Sequence, residues 1–161
     1  MNQDGDHNWT FQSQSEEATF ELGRRIGLSM PGSFVLGLNG TLGCGKTKLT
    51  QGIVSGLGLT DQTVVSPTFT LCIPYEGRIS LWHLDAYRIK DDDEVYELGL
   101  DEAVDDGCSI VIEWVDKIRE LIPPLDLVIE LEHRSQAERK LEFSGFTPQG
   151  TQLLKVLGGA G

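Results

Sequence analysis

Gly40-Thr-Leu-Gly-Cys-Gly-Lys-Thr47 places two glycines, a lysine and a hydroxyl in the pattern G-x-x-x-x-G-K-[ST]. Its flanks decide how it reads. Upstream, Phe34, Val35, Leu36 and Leu38 form a short, nearly continuous apolar run bounded by glycines, as a strand buried on both faces does. Downstream, Leu49, Ile53 and Leu57 recur at helical spacing, and Gly58 is placed to end that helix. Strand, glycine loop and helix in this order predict a three-layer α/β domain of the P-loop NTPase type. Glycines let consecutive backbone N–H groups turn toward one point, and the helix N-terminus adds positive potential there, so the loop is shaped for an anion. Gly40, Thr41, Leu42, Gly43, Cys44, Gly45, Lys46, Thr47 and Lys48 are therefore the candidate nucleotide-binding residues. Lys46 can reach terminal phosphates, and the Thr47 hydroxyl can ligate Mg²⁺. Cys44 stands at a helix start, where a thiol pKa can fall, although a small residue tolerated in the loop is the simpler reading.

Outward from the loop, Ser15 followed by Glu16 and Glu17 reads as a helix N-cap with acids in the first turn. Phe20, Leu22, Ile26 and Met30 give that helix its apolar stripe, and Pro31-Gly32 ends it. Trp9 and Phe11 alternate with polar neighbours as in a short strand. Beyond the loop, Val64-Val65, Thr70 to Tyr75 and Arg78 to Leu84 read as extended, with Glu76-Gly77 a tight connection that predicts an antiparallel hairpin. Asp91 to Glu94 open a helix through Leu98 and Val104. Ser109 to Ile112 is another buried strand, and Leu125 to Leu131 with Lys140 to Phe146 make a late strand pair. The chain of 161 residues reads as one domain, residues 1–161, with 1–8 and 158–161 flexible.

A phosphate-bound Mg²⁺ also calls for a carboxylate at the end of a neighbouring strand. Two acids compete: Glu113, after Ser-Ile-Val-Ile, and Asp85, after Ile79-Ser-Leu-Trp-His-Leu. For either, a solvated strand end is the plainer alternative. Ser66-Pro67-Thr68 offers two hydroxyls beside a rigid bond and could sense phosphate or metal, or be an ordinary turn. Trp114 is either core filling or a wall of the site, and Arg88, after Tyr87, could lend charge to a transferring phosphoryl group.

Composition excludes several classes. With 13 Lys and Arg against 25 Asp and Glu the net charge is −12, so phosphate backbones are repelled and a stand-alone nucleic-acid reader is disfavoured. No apolar run approaches the length of a membrane span, and MNQDGDHNWTFQSQSEE has neither the basic start nor the apolar stretch of a secretory signal, which predicts a cytoplasmic protein. Cys44, Cys72 and Cys108, like His7, His83 and His133, fall at neither disulfide-framework nor zinc spacings. The glycosylation sequons at Asn8 and Asn39 carry no meaning without export.

GTLGCGKT, VSPTFTL, HLDAYR and IEW, in this order and at these spacings, resemble the TsaE family, formerly YjeE, from about Glu17 to Lys140. The EEATFELG opening, the ELGLDE segment and Arg139 belong to the same resemblance. It implies a P-loop ATPase with a mixed parallel and antiparallel sheet, required in bacteria for N6-threonylcarbamoyladenosine in tRNAs that read codons starting with A. It further implies a monomer in isolation that docks on a TsaB–TsaD pair. There TsaD transfers the threonylcarbamoyl group from the adenylate made by TsaC, and ATP hydrolysis resets the complex between turnovers. By position, Lys46 and Thr47 handle phosphate and Mg²⁺, Glu113 joins Thr47 at the metal, and Asp85 and Glu113 are the acids needed for hydrolysis. Ser66, Pro67 and Thr68, together with His83, Asp85, Tyr87 and Arg88, look like switch residues, and Trp114 walls the nucleotide site. Two positions depart from the family pattern: Lys48 replaces a second hydroxyl, and Gln51 stands where an arginine is common. A small-molecule kinase and a nucleotide-gated assembly factor that needs no hydrolysis share the same loop and remain the alternatives.

Overall fold

The structure, a computed structural model, describes residues 7–41, 43–59 and 72–159. Leu42, Val64, Val65 and the Ser66-Pro67-Thr68 segment lie outside the described residues.

The apolar run before the glycine loop is the centre of the molecule. Strand β2 (Val35–Asn39) is buried along its whole length and pairs in parallel with β5 (Ser109–Glu113) on one side and β6 (Leu127–His133) on the other. Next to β5 lies β4 (Ser80–Asp85), also parallel, and outside it β3 (Cys72–Glu76) runs antiparallel. On the opposite flank β7 (Arg139–Gly145) and then β1 (Asn8–Ser13) close the sheet in antiparallel pairing. The order is β1-β7-β6-β2-β5-β4-β3, a seven-stranded sheet that is mixed, as the family resemblance implied. The β3–β4 hairpin turns over residues 77–79, so β4 starts at Ser80, two residues later than expected.

Helix α1 (Glu16–Ser29) begins where Ser15 accepts the backbone N–H of Ala18 at 3.0 Å, which confirms the expected cap. Helix α2 (Lys46–Gly56) leaves the glycine loop and lies against α1. Their contact is set by Gly23 and Gly27 facing Gly52 and Gly56. A Cβ added at Gly52 would stand 2.9 Å from the Gly23 Cα, and one at Gly56 2.9 Å from the Gly27 Cα. Only bare backbone fits there. Leu22, Ile26, Leu49 and Ile53 flank this seam and join Leu36, Leu38, Val111 and Ile129 in the larger core. The opposite face of the sheet buries Val35, Leu84, Ile110, Ile112 and Val128 under α3 (Asp92–Glu97) and α4 (Leu100–Asp105). The sequence pattern suggested one helix through Leu98 and Val104. The chain breaks it into two at Gly99, which takes the left-handed φ of 69°.

Helix α5 (Pro148–Gly159) was not expected at all. It seats Leu153, Leu154 and Leu157 in the larger core and extends through Gly158 and Gly159, residues whose composition predicts a flexible tail. Gly150 allows its close approach, since a Cβ there would overlap the backbone of Asp126. Among the described residues no helix is long and apolar enough to cross a membrane.

Candidate functional site

The glycine loop emerges from the C-terminal end of β2, flanked by the C-terminal ends of β5 and β4, where open α/β sheets place their ligand crevice. Gly40, Gly43 and Gly45 adopt φ values of 151°, 79° and 105°, which side chains rarely tolerate. Gly43 has open space around it, so the loop presents backbone to the crevice. The pocket beside it, about 340 Å³, is lined by Thr41, Gly43, Cys44, Gly45, Lys46, Thr47, Lys48, Gln51, Asp85, Glu113 and Trp114. Of the residues singled out in the sequence, the loop, both competing acids and Trp114 are thus brought to one place.

Lys46 is 6% exposed and curls back over its own loop. Its Nζ donates to the Gly40 carbonyl and, at 3.4 Å, to that of Thr41, and it stands 4.2 Å from the centroid of the Trp114 ring. Two carbonyls and the indole face thus fix the position of the ammonium at the start of the helix. Trp114 has a left-handed φ of 60°, uncommon for a bulky side chain. The chain turns sharply after Glu113, and the Trp114 N–H donates to Leu38 at 2.8 Å. The turn sets the indole against both Lys46 and Tyr87, whose ring centroid is 5.0 Å away.

Parallel pairing puts Asp85 directly opposite Glu113. Asp85 is 9% exposed and spends one oxygen capping its own turn, accepting the Tyr87 N–H at 2.9 Å. Glu113 is 2% exposed, and its Oε2 lies 2.5 Å from the Nε2 of His83. Neither acid is a solvated strand end. His83, grouped with switch residues on resemblance, is wholly buried in the sheet, whereas Tyr87 and Arg88 are exposed on the turn after β4. Cys44 behaves as the simpler reading had it. It is buried, and desolvation pushes its thiol up despite the neighbouring Lys46 charge, so a lowered pKa does not arise.

The donor set fits a magnesium-bound triphosphate. A positively charged lysine, backbone N–H groups at a helix start, a hydroxyl and two buried carboxylates share one crevice.

A family model described as "Threonylcarbamoyl adenosine biosynthesis protein TsaE" matches residues 13–141. The chain belongs to the TsaE family. It is 32% identical over 129 residues to the tRNA threonylcarbamoyladenosine biosynthesis protein TsaE of Treponema pallidum, covering 80% of this chain and 95% of that one. To the Bacillus subtilis protein of the same name it is 41% identical over 111 residues, 68% of each chain. The crystal structure of Bacillus subtilis YdiB superposes with a TM-score of 0.81 at 28% identity, covering 95% of both chains.

Within this TsaE-family chain, the two departures Lys48 and Gln51 both line the pocket. Arg139, noted only by resemblance, reaches the loop from β7: its Nη2 donates to the Gly43 carbonyl at 3.4 Å. Two residues escaped sequence reasoning in their roles. Asn39 donates to Glu130 at 2.9 Å and accepts the Asp116 N–H at 3.3 Å, tying the strand end before the loop to the segment after Trp114. The other is His83: alternation along β4 puts it on the face of Asp85, but only the β4–β5 register brings it to Glu113.

Proposed function

We propose that this chain binds ATP with magnesium in the glycine-loop pocket and hydrolyses its γ-phosphate, and that it does so for threonylcarbamoyladenosine formation in tRNA, acting on a TsaB–TsaD pair to sustain repeated turnovers. The observation that carries the reading is the convergence of Lys46, Thr47, Asp85 and Glu113 on one crevice at the strand ends. The pathway assignment rests on family membership and on the printed names of the relatives.

In this reading Lys46 exchanges its two carbonyl partners for β- and γ-phosphate oxygens, and the N–H groups of the loop take the remaining charge. Thr47, with Glu113 or Asp85, would hold magnesium, which supplies neutralisation of charge developing on the phosphate oxygens. Glu113, anchored by one oxygen, orients water for in-line attack at the γ-phosphorus. The new P–O bond forms as the bond to the bridging oxygen breaks, and the proton lost by the attacking water leaves with the inorganic phosphate, so that ADP and hydrogen phosphate are the products. Trp114 covers the ammonium of Lys46 and limits access of bulk water. No arginine lines the pocket among the described residues, so turnover by the chain alone is slow, and a partner surface completes the charge stabilisation. The net charge of −12 suits a protein that acts on another protein rather than on RNA directly.

Depletion of the chain in its host, followed by mass spectrometry of tRNA nucleosides, tests the pathway. Threonylcarbamoyladenosine is expected to fall and to return with the wild-type chain but not with Lys46→Ala. Unchanged nucleoside levels on depletion would overturn the assignment.

A further inference from the structure

We infer that His83 is a positioning residue for Glu113: from inside the sheet it holds Oε2, leaving Oε1 as the carboxylate oxygen available to the pocket. The inference deepens the hydrolytic reading above and rests on it for its kinetic consequence.

His83 has no solvent exposure and sits on a strand between Trp82 and Leu84, with Leu81 on the same face. Its Nε2 is 2.5 Å from Glu113 Oε2, within a contact that is itself almost fully buried. In a pair with a carboxylate oxygen, Nε2 of His83 is the donor. Among the described residues, Nδ1 of His83 is the one buried side-chain nitrogen or oxygen without a hydrogen-bond partner. A leucine would fill this place with no unpartnered polar atom. Packing therefore does not account for the imidazole, and what Nε2 holds does.

Strand register supplies the reach. Asp85 stands opposite Glu113 and His83 opposite Val111, so the imidazole lies one same-face position back from Glu113, deeper in the sheet. A glutamate has several rotatable bonds, and at a pocket wall its carboxylate would sample several rotamers. A donor fixed in the adjacent strand selects one. Because phosphoryl transfer is catalysed by placement more than by covalent chemistry, a freed Glu113 lowers turnover without loosening the nucleotide.

Two measurements test this. Long-range nitrogen–proton NMR of the imidazoles, with His83 assigned through its absence in His83→Gln, is expected to show the Nε2–H tautomer, with that proton shifted upfield in Glu113→Ala. An Nδ1–H tautomer, or a spectrum indifferent to Glu113→Ala, overturns the anchor. The second measurement compares His83→Gln, whose amide reaches the position of Nε2, with His83→Asn, which is too short, and His83→Leu, which cannot donate. ATP affinity is expected to stay within about threefold in all three. Turnover is expected to fall about ten- to hundredfold in the Asn and Leu variants and to recover most of the loss in the Gln variant. Wild-type turnover in all three, or a loss shared equally by the Gln variant, overturns the positioning role. Should the wild-type chain fail to hydrolyse ATP even with its partners, the hydrolytic reading fails, while the NMR result still decides the anchor.

Discussion

Gly52→Ala sets two effects of opposite sign against each other. In an exposed helix, alanine in place of glycine stabilises by about 1 kcal/mol through backbone entropy. Here the new methyl would lie 2.9 Å from the Gly23 Cα and 2.9 Å from the Arg24 backbone nitrogen, and closer still to the Phe20 carbonyl. Those neighbours are backbone of α1 and cannot rotate away, so the helices must separate, which places the overpacking cost at the upper end of about 1–3 kcal/mol. Subtracting the propensity gain leaves a net destabilisation of about 2 kcal/mol. For a domain of this size that lowers the thermal midpoint by about 4–8 °C. Because α2 begins with Lys46 and Thr47, the same displacement is expected to weaken the proposed nucleotide binding as well. Urea and thermal unfolding of the wild type and the variant give the answer. An increase in stability for Gly52→Ala would refute the close-packed helix seam, since it would mean that propensity, not contact, governs this position.

Glu113→Gln retains size and polarity but loses the carboxylate charge. It is expected to bind ATP within a few-fold of wild type and to lower turnover about a hundredfold, and normal hydrolysis by this variant would reject the catalytic role. If that hydrolysis-dead variant still restores tRNA modification, the nucleotide-gated assembly reading takes its place. Burial pushes the Cys72 thiol from 9.0 up to about 11 and also raises Tyr75 and Cys44. The unfolded chain therefore loses its thiol protons first, and the stability associated with the neutral thiol is intact below pH 9 and is lost as the pH rises toward 11. Urea midpoints are expected to fall across this window, and to fall less steeply in Cys72→Ala; equal slopes would show that the thiol does not contribute.

The sequence exposed the parts of the molecule that are local and periodic. Ser15 with Glu16 and Glu17 announced α1, and the apolar run at Val35–Asn39 announced a doubly buried strand, because capping and burial leave short-range signatures. The glycine loop was equally plain, since its chemistry requires residue types at fixed spacing. What remained hidden depended on partners distant in the chain. Helix α5 carries Leu153, Leu154 and Leu157, but Pro148, Gly150 and the terminal glycines masked its pattern, and Gly150 is there for contact with Asp126. The glycines of α1 and α2 repeat at four-residue intervals in both helices, a signal for close packing that reads clearly only once the two are known to face each other. Likewise the pairing of Asp85 with Glu113 follows from β4 lying beside β5, a neighbourhood that no local pattern specifies. Once that register is fixed, His83 falls within reach of Glu113, and a motif residue becomes a structural anchor for another.

The central claim is that the glycine loop and Lys46 grip a magnesium triphosphate. Isothermal titration calorimetry of the wild-type chain and Lys46→Ala with ATP and magnesium tests it most directly. Saturable one-to-one heat is expected for the wild type, with a loss of affinity of about a hundredfold or more for Lys46→Ala, the magnitude that follows when a buried charge-assisted contact to phosphate is removed. Equal binding by the two proteins, or no heat from the wild type with or without its partners, would contradict it.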